Sequence, residues 1–165
     1  MSMESLKDKL LLFLTEGICM DDIHILPICD DYDLWYATVE CELLPHQKDL
    51  VNPAGFSIGR AYLNPEANVP CIIWKKDVRI GYIVFRKWHD QSANSWSYYI
   101  DKSHQGKGYG TTAAKLAVKV LKSVDPSAPV KLSIEQNNKH AQRLYTSIGF
   151  CHSGEMDGDD LVFAY

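Results

Sequence analysis

The sequence predicts an α/β domain on a mixed central sheet, and three observations predict it. Runs rich in β-branched and aromatic residues alternate with apolar-periodic stretches through the second half of the chain. Glycine, proline and Asn/Asp signals punctuate those runs. The length of 165 residues, 46% hydrophobic and 23% charged, fits one core and leaves little room for a second domain.

The elements follow in order. Apolar residues at 6, 10, 13 and 14 give residues 4–16 the spacing of a short amphipathic helix. Met20-Asp-Asp-Ile-His-Ile reads as a fresh beginning with a strand over about 22–27, so 1–19 is expected to be an extension to a single domain over 20–165. Asp30, Asp31 and Asp33 put carboxylates at the start of a helix over 34–39, where the helix dipole favours them. Pro45 opens a second short helix over 46–51, which Asn52-Pro53-Ala54-Gly55 breaks. Ser57 is the expected N-cap of a third, over 57–63, closed by Asn64-Pro65.

Strands follow at 69–75 and 78–87, joined by a Lys76-Asp77 turn, and at 96–101. Ala113, Ala117, Val120, Leu121 and Val124 mark one face of a helix that Asp125-Pro126 stops. A strand over 130–135 precedes Asn137-Asn138, which cap a helix with Ala141, Leu144, Tyr145 and Ile148 on its apolar face and Gly149 as its stop. Residues 150–154 and 161–165 flank Asp157-Gly158, a hairpin signal.

Composition narrows the function. A net charge of −4 argues against a nucleic-acid surface and favours cationic partners. Five scattered cysteines without a C-x-x-C pair argue against a disulfide framework or a zinc site, and six histidines show no metal-ligand spacing, so no metal is expected. No apolar run approaches the ~18 residues that span a bilayer. The run 10–14 is too short for a signal-peptide core. A cytoplasmic location without membrane attachment is the expectation.

The richest stretch is 98–111, where a strand ends, glycines stand at 106, 108 and 110, and a helix begins. Such a turn aims free N–H groups and the positive end of a helix dipole at one spot, which suits a pyrophosphate. Glycine is needed because a Cβ would block close approach and because the backbone is expected to take positive φ. No Gly-Lys-[Ser/Thr] closes a P-loop, and the spacing fails the G-x-G-x-x-G pattern. The plain alternative is a mobile glycine-rich connector.

The order Gln105-x-x-Gly108-x-Gly110 resembles the acetyl-CoA loop of the GNAT superfamily of N-acetyltransferases. A second block, Asn138-x-x-Ala141-x-x-Leu144-Tyr145-x-x-x-Gly149-Phe150, resembles the other wall of that family's pantetheine channel. The resemblance implies a sheet of six to seven strands splayed at the cofactor site between 96–101 and 130–135, flanked by about four helices beside the N-terminal one. It implies acetyl-CoA as the donor. Backbone groups of Tyr98, Tyr99 and Ile100 would bind the pantetheine arm. Gln105, Gly106, Lys107, Gly108, Tyr109, Gly110 and Thr111 would hold the pyrophosphate, and Asn138 would face the arm.

Acetyl transfer to an amine needs an unprotonated nitrogen, a place for the oxyanion and an acid for the thiolate. By resemblance Tyr145 is that acid; as a residue of an apolar helix face it is also a core aromatic. The base stays open between a water chain, Asp101 and a carboxylate of the N-terminal half, because Trp96 stands where relatives carry a glutamate.

Gln47-x-x-Leu50-Val51-x-Pro53 and Ser57-Ile-Gly-Arg60-Ala-Tyr62 resemble the bacterial spermine/spermidine (diamine) acetyltransferase branch, as does Gly154-Glu155-Met-Asp157-Gly158. That resemblance implies a polyamine acceptor, with Glu40 and Glu42 as its carboxylates; a solvated helix end gives the same two residues. Arg60 departs from the branch, where an acid is usual. Other acceptors in the superfamily are a protein N-terminus, a lysine or an aminoglycoside, and an idle acyl-CoA-binding sensor is a further alternative. The superfamily often forms homodimers.

Overall fold

The chain runs α1 (Leu6–Thr15), β1 (Cys19–Met20), β2 (Ile23–Pro27), α2 (Asp31–Trp35), α3 (Ala54–Leu63), β3 (Asn68–Lys75), β4 (Val78–Lys87) and β5 (Asn94–Ile100). It continues with α4 (Tyr109–Val124), β6 (Lys131–Ile134), α5 (Lys139–Ser147), β7 (Cys151–Asp157) and β8 (Asp160–Ala164). This computed structural model describes residues 4–15 and 17–165; residues 1–3 and 16 of the expected N-terminal extension and helix lie outside the described residues.

The sheet is divided. Strands β1 to β5 form an antiparallel sheet in sequence order, and β6, β8 and β7 form a second sheet in that order. The two meet at one parallel bridge, Asn94 to Val130, beyond which β5 and β6 part. The expected splay between these two strands is therefore wide enough to leave two sheets. Hairpin β3–β4 turns at Lys76, whose φ of 54° is the left-handed conformation a tight reversal needs.

The two faces of the first sheet are covered differently. Leu6, Leu10 and Leu14 of α1 join Ala113, Leu116, Ala117, Val120 and Leu121 of α4 in a core with Ile23, Ile73, Ile83 and Phe85. Their i, i+4 spacing turns each helix's apolar stripe onto the sheet. Trp96, Tyr145, Phe150 and Phe163 extend this core under the second sheet. The opposite face carries a smaller cluster of Tyr36, Ala37, Cys41, Ala54, Ile72, Tyr82 and Val84.

The N-terminal half corrects three expectations. A π-helical turn, Tyr36–Glu40, continues α2. The helix expected over 46–51 shrinks to a 3-10 turn, Pro45–Gln47, because it buries no side chain. Helix α3 starts three residues before Ser57, after Pro53, so Ser57 is no N-cap. Its hydroxyl instead bonds Ala54 O at 3.1 Å and the Tyr82 hydroxyl at 2.7 Å, fastening α3 to the sheet.

Candidate active site

The loop between β5 and α4 is built for close approach. Gly106 and Gly108 have φ of 75° and 80°, and a Cβ at either would meet nothing within 4 Å, so the surface above them is open. The first intrahelical bond runs from Thr112 N–H to Gly108 O at 3.2 Å. The N–H groups of Tyr109, Gly110 and Thr111 precede it and face outward with the positive end of a 16-residue helix. Lys107 folds back to Ser103 O at 3.2 Å.

Next to the loop lies the split edge of β5. Asp101 N–H donates to Ile80 O on β4, whereas Asn94 N–H donates to Pro129 O and Ile100 O accepts from Gln105 Nε2. Backbone groups alternate along an antiparallel strand, so those of Trp96, Tyr98 and Ile100 face the split. Tyr99 turns its backbone toward β4: its carbonyl would stand 2.5 Å from a Cβ built at Gly81. Of the three residues expected to line the split with backbone groups, Tyr98 and Ile100 do so and Tyr99 does not.

Side chains alternate too. Tyr98 and Trp96 point toward α4 and α5, where the Tyr98 hydroxyl donates to Gly110 O at 2.9 Å. Tyr145 lies against Trp96 and Phe150, ring centroids 6.2 and 5.5 Å away. Burial pushes the Tyr145 phenol above its usual pKa. The phenol is therefore protonated at neutral pH.

At the closed end of the split the polar groups lack partners. Asn94 Oδ1 and Nδ2, Ser95 Oγ, Trp96 Nε1 and Arg86 Nε are all buried and, among the described residues, have no protein hydrogen bond. Register puts Arg86 directly opposite Ser95 on one side and Asn68 on the other. Orphaned polar groups cost about 1–3 kcal/mol each; Asn94 and Trp96 turn theirs to the α4 face of the sheet, and Arg86 and Ser95 turn theirs to the α3 face. None of these residues was singled out as a ligand site from the sequence. The one signal is Arg86 directly after the apolar run Tyr82–Phe85.

On the α3 face a small open cleft is lined by Ser57, Arg60, Tyr82, Arg86, Ser97 and Tyr99 among others. Strand β5 is thus a common wall, with the split and Tyr145 on one side and this cleft on the other.

Residues 32–150 match the family described as Acetyltransferase (GNAT) family. The chain belongs to that family. It is 36% identical over 80 residues to a probable spermine N(1)-acetyltransferase of Bacillus subtilis subsp. natto (strain BEST195), a match covering 46% of this chain and 53% of that one. The spermine/spermidine N(1)-acetyltransferase of Bacillus subtilis (strain 168) is 35% identical over 80 residues, with the same coverage. The chain spans about half the length of the curated relatives it matches.

Among solved structures, aminoglycoside acetyltransferase AAC(6')-Ib in complex with coenzyme A has a TM-score of 0.71 at 19% identity, covering 87% of this chain and 94% of that one. Spermidine N-acetyltransferase from Vibrio cholerae, in complex with CoA and spermine, has a TM-score of 0.68 at 15% identity, covering 88% and 94%. At these identities the likeness is one of fold.

Within the GNAT frame the expected residues divide. The glycine loop, Tyr98, Ile100 and Tyr145 converge on the split. Gln105 and Asn138 spend their side chains locally. The Gln105 amide pairs with that of Gln47 through bonds of 2.9 and 3.1 Å, and Asn138 Oδ1 caps α5 by accepting from Ala141 N–H at 3.1 Å. Tyr109 lies under Lys75, 5.5 Å from Nζ to the ring centroid.

Glu40 and Glu42 do not line the cleft on the α3 face. Glu40 accepts from Trp35 Nε1 at 3.1 Å, and Glu42 is ion-paired with Lys102. That hydrogen bond and charge hold the Glu42 carboxyl below its ordinary pKa. Asp101 is committed as well. Its carboxylate accepts from Glu42 N–H at 2.8 Å and from the Ser103 N–H and hydroxyl. Burial would raise its pKa, but these bonds outweigh burial and lower it, so Asp101 makes a poor proton acceptor. No helix among the described residues is long and apolar enough to cross a membrane.

Proposed function

We propose that the chain is an acetyl-CoA-dependent N-acetyltransferase acting on the primary amine of a small acceptor. The observation that carries this reading is the split between β5 and β6, with a phosphate-sized, Cβ-free loop at one end and a protonated, buried tyrosine beside it. The site fits the donor: Gly106 to Thr111 would hold its pyrophosphate, and the backbone of Tyr98 and Ile100 would hold its arm as a neighbouring strand would. Acetyl-CoA supplies a thioester whose carbon–sulfur bond breaks as the acceptor nitrogen bonds the acetyl carbon. Tyr145 would hold the proton that the leaving sulfur takes, kept available by burial. The acceptor nitrogen gives up its own proton to solvent, helped by the arginines of the cleft, which lower the pKa of any ammonium brought near them.

A polyamine acceptor is the finer reading. The names of the two curated relatives and the net charge of −4 support it. Arg60 and Arg86 in the acceptor-side cleft, and the pairing of Glu42 with Lys102, speak against it. The test is free-thiol release from acetyl-CoA against polyamines, amino acids, aminoglycosides and peptides. Turnover of at least one amine is expected. Calorimetric CoA binding without turnover of any amine would leave the idle sensor in its place.

A further inference from the structure

The acceptor-side cleft has a floor of three cross-strand rows and a roof from α3. The rows are Asn68–Arg86–Ser95, Pro70–Val84–Ser97 and Ile72–Tyr82–Tyr99, read off the register of β3, β4 and β5. Period 2 sends the side chains of each row to the same face. On α3, Ser57 is pinned over Tyr82 by the 2.7 Å hydroxyl contact, and Arg60 lies three residues on, along the same face of the helix. Two guanidinium groups therefore share one end of the cleft. Arg86 Nε is buried without a protein acceptor. The charge nearest to opposing it is Asp157, which stands 3.6 Å from His89 Nε2 and makes no ion pair with Arg86 among the described residues. No aspartate or glutamate lines the cleft among the described residues.

A half-buried cation whose Nε is shut from water without a partner is costly, and a second cation beside it raises the cost. The arrangement becomes favourable when an anion enters: guanidinium groups bind carboxylate and phosphate through paired N–H donors, and the Ser97 hydroxyl that lines the cleft adds a further donor. We propose that Arg86 and Arg60 form an anion subsite of the acceptor pocket, so that the acceptor is a primary amine that also carries a carboxylate or phosphate, and not a free polyamine. The subsite lies on the α3 face of β4, across strand β5 from the split. Anchoring the anion there sets how far along the cleft the amine reaches. The proposal rests on the acetyltransferase reading for the word acceptor, while the anion subsite itself does not require turnover.

The test uses matched pairs: an amino acid and its carboxamide, an aminoalkyl phosphate and its alcohol, with spermidine alongside. Rates come from thiol release, and binding to the CoA-saturated protein from calorimetry. At least one anionic member is expected to exceed its neutral mate roughly tenfold in kcat/KM and in affinity, the two pairs telling carboxylate from phosphate. Arg86→Gln should erase that preference by raising KM for the anionic member, with CoA affinity unchanged. The exposed Arg60→Gln should erase part of it. Equal use of both members of each pair, preference for spermidine, or anion binding unaltered by either substitution overturns the proposal. Absence of turnover with Arg86-dependent anion binding intact would remove the enzyme reading and leave the subsite standing.

Discussion

The two faces of the five-stranded sheet solve different problems. The face under α1 and α4 is sealed: Leu10, Ala113, Leu116, Ala117, Val120 and Phe150 are each 0% exposed, and the donor-side loop is fixed by glycine conformations. The face under α2 and α3 is thin. Phe56, Tyr62 and Leu63 stand out in solvent, and its cleft is edged by arginines and hydroxyls instead of packed carbon. Under the proposed function, a thick apolar face holds one geometry for the donor, and a thin polar one lets a few substitutions change the acceptor while the fold stays put.

The contrast predicts a graded set of losses. Phe150→Ala, which empties a site ringed by Trp96, Tyr145 and Tyr165, should cost ~3–5 kcal/mol of unfolding free energy in a urea titration. Phe56→Ala on the other face should stay within about 0.5 kcal/mol. Equal losses would break the comparison. Gly108→Val puts a branched Cβ at a φ of 80°; a strain of about 1–2 kcal/mol should appear as roughly tenfold weaker CoA binding by calorimetry. Tyr145→Phe keeps the ring and removes the proton, so turnover should fall roughly tenfold or more with CoA affinity nearly unchanged. Full activity in that variant would take the acid role from Tyr145.

The smallest effect concerns pH. The Asp101 carboxyl is lowered in the folded state, so its contribution is fully present above the unfolded value of about 3.9 and is lost as pH falls through the depressed one. Asp101→Asn offers one carbonyl acceptor where two oxygens served Glu42 and Ser103, at a cost of about 1 kcal/mol at neutral pH. The gap to wild type, followed by urea titration, should close in acid. A gap that widens there would contradict the sign of the shift.

What the sequence made legible follows the same division. The glycine loop, α4 and α5 announce themselves because positive φ demands glycine and buried helices demand a 3.6-residue apolar period. The acceptor side hides its chemistry because its decisive pairs are distant in sequence. Glu42 reads as a free carboxylate until Lys102, 60 residues on, reaches it. The sequence marks Arg86 only by its place after the apolar run Tyr82–Phe85, because Ser95 and Asn68 come up beside it through the strand register alone. Ser57 reads as a cap because Pro53, which already starts the helix, leaves a hydroxyl-bearing residue one turn further in.

The paired amides of Gln47 and Gln105 join the turn that leads into α3 to the segment that leads into the glycine loop. Any rotation of Gln105 on the proposed binding of the donor must break or drag that ring, and with it the turn that leads into α3. Steady-state kinetics would register this link as a compulsory order of addition, donor first, and Gln47→Ala as a return to random order.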